Sequence, residues 1–326
     1  MINSIDILNI KSKKEFEKYC IEIFNYQLKN NNVYREFCKF TCKNSNNIKS
    51  SIEIPFLPIQ FYKTHKIVSS KKKIEKIFFS SGTTKNNLSK HYIVDIKFYE
   101  DCFNKIFIEN YGEPSQYNII ALLPTYLENK NSSLVYMVSN LIQKSKNIHS
   151  GFYLNNYKEL KEKLLYLEKG NKKTILFGVS YALLNLINYH KFNLNNTIII
   201  ETGGMKGVKK ELIKTELHEK LKDGFGVNNI NSEYGMTELM SQAYSIKNQK
   251  FQCPPWMKIY IREKEDPMKI MTNNKSGGIN IIDLANYNSC SFIATDDLGR
   301  VDKEGDFEIL GRLDYSDQRG CNLLVE

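Results

Sequence analysis

From residue 118 onward the chain alternates in a way that few folds accept. A continuous apolar run at 118–123 (NIIALL) is followed by a helical pattern with Leu134, Val135, Val138, Leu141 and Ile142 on one face. Ser132 or Ser133 stands where that helix needs an N-cap. The alternation continues with a strand at 174–179, a helix at 181–189, a strand at 197–201, a helix at 208–221 and a short strand at 229–232. Strands that are apolar throughout need cover on both faces. Joined by helices, they predict an α/β fold: a mostly parallel sheet with helices on both sides. From Pro254 the character changes. Segments 257–262, 278–284, 290–295 and 306–310 read as strands joined by Gly, Asn and Asp turns with no helix between them. An antiparallel β subdomain is therefore expected over about 254–312.

Upstream, residues 13–29 carry Phe16, Tyr19, Cys20, Ile23 and Phe24 at helical spacing, and a second helix is expected at 33–40. A polar linker at 43–51 precedes IPFLPIQFYKTHKI (54–67), whose Pro55 and Pro58 predict an extended segment laid over the core. These breaks divide the chain into a helical lead-in (1–50), a core (51–312) and a tail (313–326). A short apolar strand at 74–79 runs into the polar turn Ser80-Ser81-Gly82-Thr83-Thr84, with Lys85 and Lys90 beyond it. Residues 91–94 return as a strand. Asp95 caps the next helix, which buries Ile96, Tyr99, Cys102, Phe103, Ile106 and Phe107 and stops at Gly112.

Composition removes several classes of function. The net charge is +10, which raises nucleic acid as a partner, but the excess is lysine spread along a Lys-, Asn- and Ile-rich chain. Readers of bases and phosphates favour arginine forks, so no nucleic acid is expected. No apolar run reaches the roughly 18 residues of a membrane span. The N-terminus, MINSIDILNIKSKKEF, lacks a cleavable signal pattern, and a cytoplasmic protein is expected. The seven cysteines are odd in number and scattered, without a C-x-x-C pair, so neither a disulfide framework nor a zinc site is expected. Most should be small buried apolar groups.

Five signals fall after predicted strands, where parallel sheets place their ligands. Hydroxyls and backbone N–H groups around Gly82, with lysines nearby, suit a polyphosphate. Neither a Walker loop nor Gly-x-Gly-x-x-Gly is present. In Glu201-Thr202-Gly203-Gly204 the paired glycines allow a flat ligand to approach the backbone. In Glu233-Tyr234-Gly235-Met236-Thr237-Glu238, Tyr234 suits a purine face, and Thr237 with Glu238 suit phosphate and Mg²⁺. Thr295-Asp296-Asp297-Leu298-Gly299-Arg300 offers carboxylates for ribose hydroxyls. Gly311-Arg312-Leu313-Asp314 is the fifth. Each has a duller reading: a Ser/Thr-rich turn, a tight Gly-Gly turn, a core tyrosine among 20, an Asp-Asp-Leu-Gly β-turn.

In this order the motifs resemble the phosphate, adenine, ribose and hinge motifs of adenylate-forming ligases. Within that superfamily the chain is most similar to the acyl-protein synthetases of the fatty-acid reductase complex of bacterial luminescence. The likeness extends to IPFLPIQFYK (54–63), ALLPTYLENKNSSLVYM (121–137), ETGGMKG (201–207) and SDQRGC (316–321). The resemblance implies ATP and Mg²⁺ as cofactors. It implies that Ser80, Ser81, Gly82, Thr83 and Thr84 hold the ATP phosphates and that Gly203 and Gly204 line the adenine slot. Tyr234 with Gly235 then covers the base, Thr237 meets the α-phosphate, Glu238 binds Mg²⁺, Asp297 holds the ribose and Arg312 supports it. Cys321 matches the acyl-accepting cysteine, and Arg319 beside it favours the thiolate.

The implied function is ATP-dependent activation of a carboxylic acid, fatty in this family, to acyl-AMP. The acyl group then passes to Cys321 and on to a reductase or acyl carrier protein. Two alternatives stay open: coenzyme A or a carrier-protein thiol as the direct acceptor, as in phenylacetate-CoA ligases, and a non-catalytic nucleotide-binding relative. Three departures stand out. Lys85 replaces a small residue of the loop. Lys90, a catalytic candidate, replaces an arginine. The chain ends at Glu326, where the typical ligase continues into a mobile domain carrying a lysine, so that domain is expected to be absent, as in the acyl-protein synthetases.

Overall fold

The computed structural model describes residues 2–41, 48–80, 88–123, 131–203, 213–246, 249–271 and 275–313. The N-terminal helices are α1 (Ser4–Leu8), α2 (Lys13–Asn30) and α3 (Asn32–Thr41). A reciprocal capping box between Ser12 and Glu15 starts α2, satisfying backbone N–H groups that a helix start leaves open. Its inner face is Phe16, Cys20, Ile23, Phe24 and Gln27. The segment expected to be extended at 54–67 contributes a two-residue strand, β1 (Leu57–Pro58), and then one helical turn, α4 (Phe61–Thr64). Pro55 and Pro58 restrict only the residues up to Ile59, so Phe61 is free to coil and bury Tyr62.

A hairpin follows, β2 (Lys76–Phe79) against β3 (Lys90–Ile93), with Phe79 opposite Lys90. Helix α5 (Ile96–Tyr111) starts on Asp95, whose carboxylate accepts from the Phe98 N–H at 2.9 Å. It ends at Gly112.

The central sheet has the order β5 (Gly151–Tyr153), β4 (Asn118–Leu122), β6 (Thr174–Val179), β7 (Thr197–Thr202), β8 (Asn231–Tyr234) and β9 (Ala243–Ser245). The first five run parallel and β9 is antiparallel. Helices α6 (Ser133–Ser145), α7 (Tyr157–Glu168), α8 (Ser180–Tyr189) and α9 (Lys214–Phe225) alternate with its strands. Every residue of β4 and β6 is buried, as strands covered on both faces require. Ser132 is the cap of α6. Two sequence boundaries shift. The described helix α9 runs on to Phe225 because its apolar face continues through Leu221 and Phe225 to a left-handed stop at Gly226. Strand β8 reaches Tyr234, pairing Glu233 with Thr202 on β7 and with Tyr244 on β9.

The second sheet is built from β10 (Met257–Arg262), β11 (Ile270–Met271), β12 (Ser276–Asp283), β13 (Phe292–Val301) and β14 (Phe307–Arg312). Its pairings are antiparallel, except that β1 adds to β13 in parallel. Two details differ from expectation. A 3-10 turn, Leu284–Asn288, stands between β12 and β13. The Asp296-Asp297-Leu298-Gly299 stretch is no turn: β13 passes straight through it. Ladder bonds to β12 and β14 outweigh the local turn preference, and bulges beside Gly278 and Gly299 absorb the mismatch. The two sheets and the N-terminal helices share one apolar core.

Candidate active site

Strands β7 and β8 end side by side, and the β13–β14 pair lies against them. The Tyr234 phenol donates to Asp297 Oδ2 at 2.7 Å, and Arg312 Nε lies 3.5 Å from Asp297 Oδ1. Asp297 and Arg312 are partners across the β13–β14 ladder, so register alone sets them together. The Tyr234 ring leans on Phe251 and Phe307, which stack on each other with centroids 5.2 Å apart. Burial, followed by the Asp297 charge, pushes the phenol well above its usual value, which keeps it a donor. A side chain added at Gly203, at the end of β7, would meet nothing within 4 Å, so the backbone there faces open space.

Beneath this lies a buried polar layer. Thr202 donates to Glu233 Oε2 at 2.6 Å. Burial pushes Glu233 up to about 7, with the neighbouring Glu201 adding to the rise. A Cβ at Gly235 would come 2.5 Å from Glu233 Oε1, so a larger residue there would displace this carboxyl. Ser180 donates to Glu201 Oε1, and His218 Nε2 lies 3.8 Å from Glu201 Oε2. Burial acts to raise Glu201, but His218, Lys214 and Ser180 together hold it below its usual range. Burial brings Lys214 down to about 8, against the charges of Glu201 and Glu308. Its Nζ sits 3.7 Å from the centre of the Phe251 ring.

Thr237 and Glu238 follow β8 in a turn fastened from three elements. His91 Nδ1, on β3, donates to the Thr237 carbonyl at 2.7 Å. Its Nε2 is 3.0 Å from Asn286 Oδ1. Asn286 donates to the carbonyls of Glu238 at 2.8 Å and Cys290 at 2.9 Å. Asp283 accepts from the N–H groups of Met240 and Ser241 at 2.8 and 3.0 Å. Sequence reading passed over His91, Asn286 and Asp283. They carry no motif, and the one available signal was a histidine inside a four-residue apolar-flanked strand.

The remaining candidates divide clearly. Ser80 closes the β2–β3 hairpin, its hydroxyl accepting from the Ser89 N–H at 3.0 Å, which leaves its own proton to donate. Lys90 is exposed on β3. Ser81, Gly82, Thr83, Thr84, Gly204 and Cys321 lie outside the described residues. Cys20, Cys102, Cys253 and Cys290 are free thiols that burial pushes above their usual range, as the sequence led one to expect. Among the described residues no cluster of three or more His, Cys, Asp or Glu could hold a metal. Glu238, the residue expected from the sequence to bind Mg²⁺, is buried at 5% exposure. Two surface grooves, of 250 and 370 Å³, lie away from this cluster, beside Leu184 and Ile187 and beside His149 and Tyr166.

The family model described as "Acyl-protein synthetase, LuxE" matches residues 5–326. The chain belongs to this family. A search of curated protein sequences gave no match. Among solved structures the chain is similar to an open conformation of 2-hydroxyisobutyryl-CoA ligase in complex with 2-HIB-AMP and CoA. That match has a TM-score of 0.68 and 10% identity, and covers 93% of this chain and 70% of that one. It is also similar to ATP-bound MatB from Rhodopseudomonas palustris, with a TM-score of 0.55 and 15% identity over 74% of this chain and 49% of that one. A third is a long-chain-fatty-acid-CoA ligase (FadD1) from Archaeoglobus fulgidus, with a TM-score of 0.51 and 15% identity over 77% and 54%. At such identities these likenesses show the fold: this LuxE-family chain has the adenylate-forming ligase fold. It spans about half the length of the MatB structure. Among the described residues no helix is long and apolar enough to cross a membrane.

Proposed function

We propose that this chain activates a carboxylic acid with ATP and passes the acyl group through Cys321 to a partner protein. The observation that carries the reading is the hydrogen-bonded set Tyr234–Asp297–Arg312 beside the open backbone of Gly203, in a chain of the acyl-protein synthetase family. A carboxylate is a poor acyl donor, because oxide would have to leave. In the first step an oxygen of the acid attacks the α-phosphorus, the bond to the β-phosphate bridge breaks, and pyrophosphate departs with the electron pair. Asp297 accepts from the ribose hydroxyls while Arg312 fixes its carboxylate. The Tyr234 ring, braced by Phe251 and Phe307, offers a face to the base. Thr237 donates to the α-phosphate, and the hydroxyls of the 80–84 turn hold the other phosphates. Mg²⁺, when held by Glu238, offsets phosphate charge. In the second step the Cys321 thiolate, its proton lost to solvent, attacks the acyl carbonyl carbon and AMP leaves, giving a thioester.

Family membership and the long-chain-fatty-acid-CoA ligase likeness favour a fatty acid, and the family favours a reductase or acyl carrier protein as final acceptor. The 2-hydroxyisobutyryl-CoA ligase likeness, over 93% of the chain, favours a second reading in which coenzyme A accepts directly. The test is exchange of labelled pyrophosphate into ATP across a panel of carboxylic acids, with labelled acid then traced onto the protein. Exchange with a fatty acid is expected, with a thioester that Cys321→Ser abolishes while leaving exchange intact. Thioester formation on coenzyme A by Cys321→Ser at the wild-type rate would favour the second reading. Exchange with no acid would overturn adenylation and leave a non-catalytic nucleotide-binding relative.

A further inference from the structure

We propose that His91 is a positioning residue that fixes Thr237 and Glu238 relative to the β2–β3 hairpin. This rests on the proposed adenylation for its functional meaning, but its structural content stands independently. His91 is 1% exposed, so its imidazole occupies core volume that an apolar side chain would fill at less desolvation cost. What the ring supplies is polar. A carbonyl only accepts, so Nδ1 must bring a proton to Thr237. Nε2 lies 3.0 Å from the Asn286 amide oxygen, another acceptor, whose nitrogen already holds the Glu238 and Cys290 carbonyls. Burial brings His91 down to about 4, so the neutral ring carries one proton, and the shorter contact, to Thr237, takes it.

The segment needs such support. Between β8 and β9, the one backbone hydrogen bond made within the turn among the described residues is Leu239 N–H to Met236 O at 3.1 Å. Hydrogen bonds from side chains of other elements add to it: His91 from β3, Asn286 from the 3-10 turn, Asp283 from the end of β12. Of these, His91 alone belongs to the hairpin that carries Ser80 and Lys90. It therefore ties together two chain segments, 146 residues apart, that the proposed function assigns to the phosphates.

The chain's one tryptophan reports on the same turn: Trp256, buried, donates from Nε1 to Ser241 Oγ at 2.8 Å, and Ser241 Oγ donates to Asp283. Three variants separate the roles. In His91→Asn the amide nitrogen takes the Nδ1 position and can still donate to Thr237. In His91→Gln the amide reaches the Nε2 position instead. His91→Leu removes both contacts. Without ligand, amide deuterium uptake of the peptide covering 236–242 should rise on the order of tenfold in His91→Leu and His91→Gln and stay near wild type in His91→Asn, with β4 and β6 unchanged. With ATP added, the Mg²⁺ concentration giving half the Trp256 emission change should rise on the order of tenfold in the same two variants, while the KM for the acid moves by less than about twofold. Uptake rising equally across the whole chain, or His91→Gln behaving like His91→Asn, would reduce His91 to an ordinary core residue and overturn the proposal. Wild-type protein that exchanges no pyrophosphate but shows the turn-specific uptake pattern would sink the adenylation reading and leave the positioning role standing.

Discussion

Glu233 is a carboxyl that burial brings close to neutral pH. It is buried, receives a hydrogen bond from Thr202, and lies beside another buried acid, Glu201. In an unfolded chain its value returns to the ordinary 4.5, against about 7 when folded. Between those values the folded protein holds the proton more tightly than the unfolded one. Its contribution to stability is therefore complete below about pH 4.5 and is lost as pH rises through 7. Asp283, raised to about 6 by burial against the hydrogen bonds from Ser241 and Met240, adds to the same slope at lower pH. Glu233→Gln keeps an acceptor for Thr202 and removes the titration. The fall in urea stability between pH 5 and pH 8 should shrink in this variant, by at most about 3 kcal/mol. An unchanged slope would show that Glu233 does not titrate with folding.

At the scale of elements, what the sequence made legible was whatever local chemistry decides. Asp95 and Ser132 cap their helices, Gly112 stops α5, and the unbroken apolar runs became β4, β6 and β7. Tyr234, Asp297 and Arg312 were named through the family resemblance; that they meet comes from a strand end and a ladder pair, which the structure supplies. What stayed hidden depends on partners far along the chain. Asp296-Asp297 has the composition of a turn and becomes strand because β12 and β14 flank it. His91 and Asn286 act on backbone carbonyls, which no residue pattern advertises. The end of α9 lies between these cases. The continuation through Phe225 was readable as periodicity, and its stop is written in Gly226, with φ +66°. A Cβ there would stand 2.7 Å from Asn193 Cα and from the Phe192 carbonyl oxygen, both backbone atoms that cannot swing away. Gly226→Ala should therefore lower unfolding stability by on the order of 2 kcal/mol while leaving pyrophosphate exchange per folded molecule unchanged. A loss below about 0.5 kcal/mol would mean that the left-handed stop is not required.

At the scale of the molecule, the helical lead-in is sewn to the β subdomain at the point where that subdomain grips the site. Gln27, on α2 and fully buried, donates to the carbonyls of Tyr287 at 3.0 Å and Asn286 at 3.2 Å, and accepts from the Ser291 N–H at 3.1 Å. Asn31 donates to the Ser289 carbonyl at 3.0 Å. The same Asn286 whose backbone is held by Gln27 holds Glu238 and meets His91 with its side chain. A rigid path therefore runs from α2 through the 3-10 turn to the segment that the proposed function assigns to phosphate. Phe24 and Tyr34 pack on Phe292 of β13 along the same seam, so apolar burial and hydrogen bonding coincide there. Gln27→Leu roughly preserves volume but takes the Gln27 partner from the buried Tyr287 carbonyl and the Ser291 N–H, each loss costing about 1–3 kcal/mol, while the Asn286 carbonyl keeps the Ser289 N–H. Because the helices share their core with both sheets, that loss belongs to the whole unit. Urea unfolding followed by far-UV circular dichroism and Trp256 emission should give one coincident transition for wild type and variant, with a lower midpoint and an unchanged slope in the variant. Two transitions, the first alone displaced by the substitution, would mean that the N-terminal helices unfold on their own and cannot buttress Asn286.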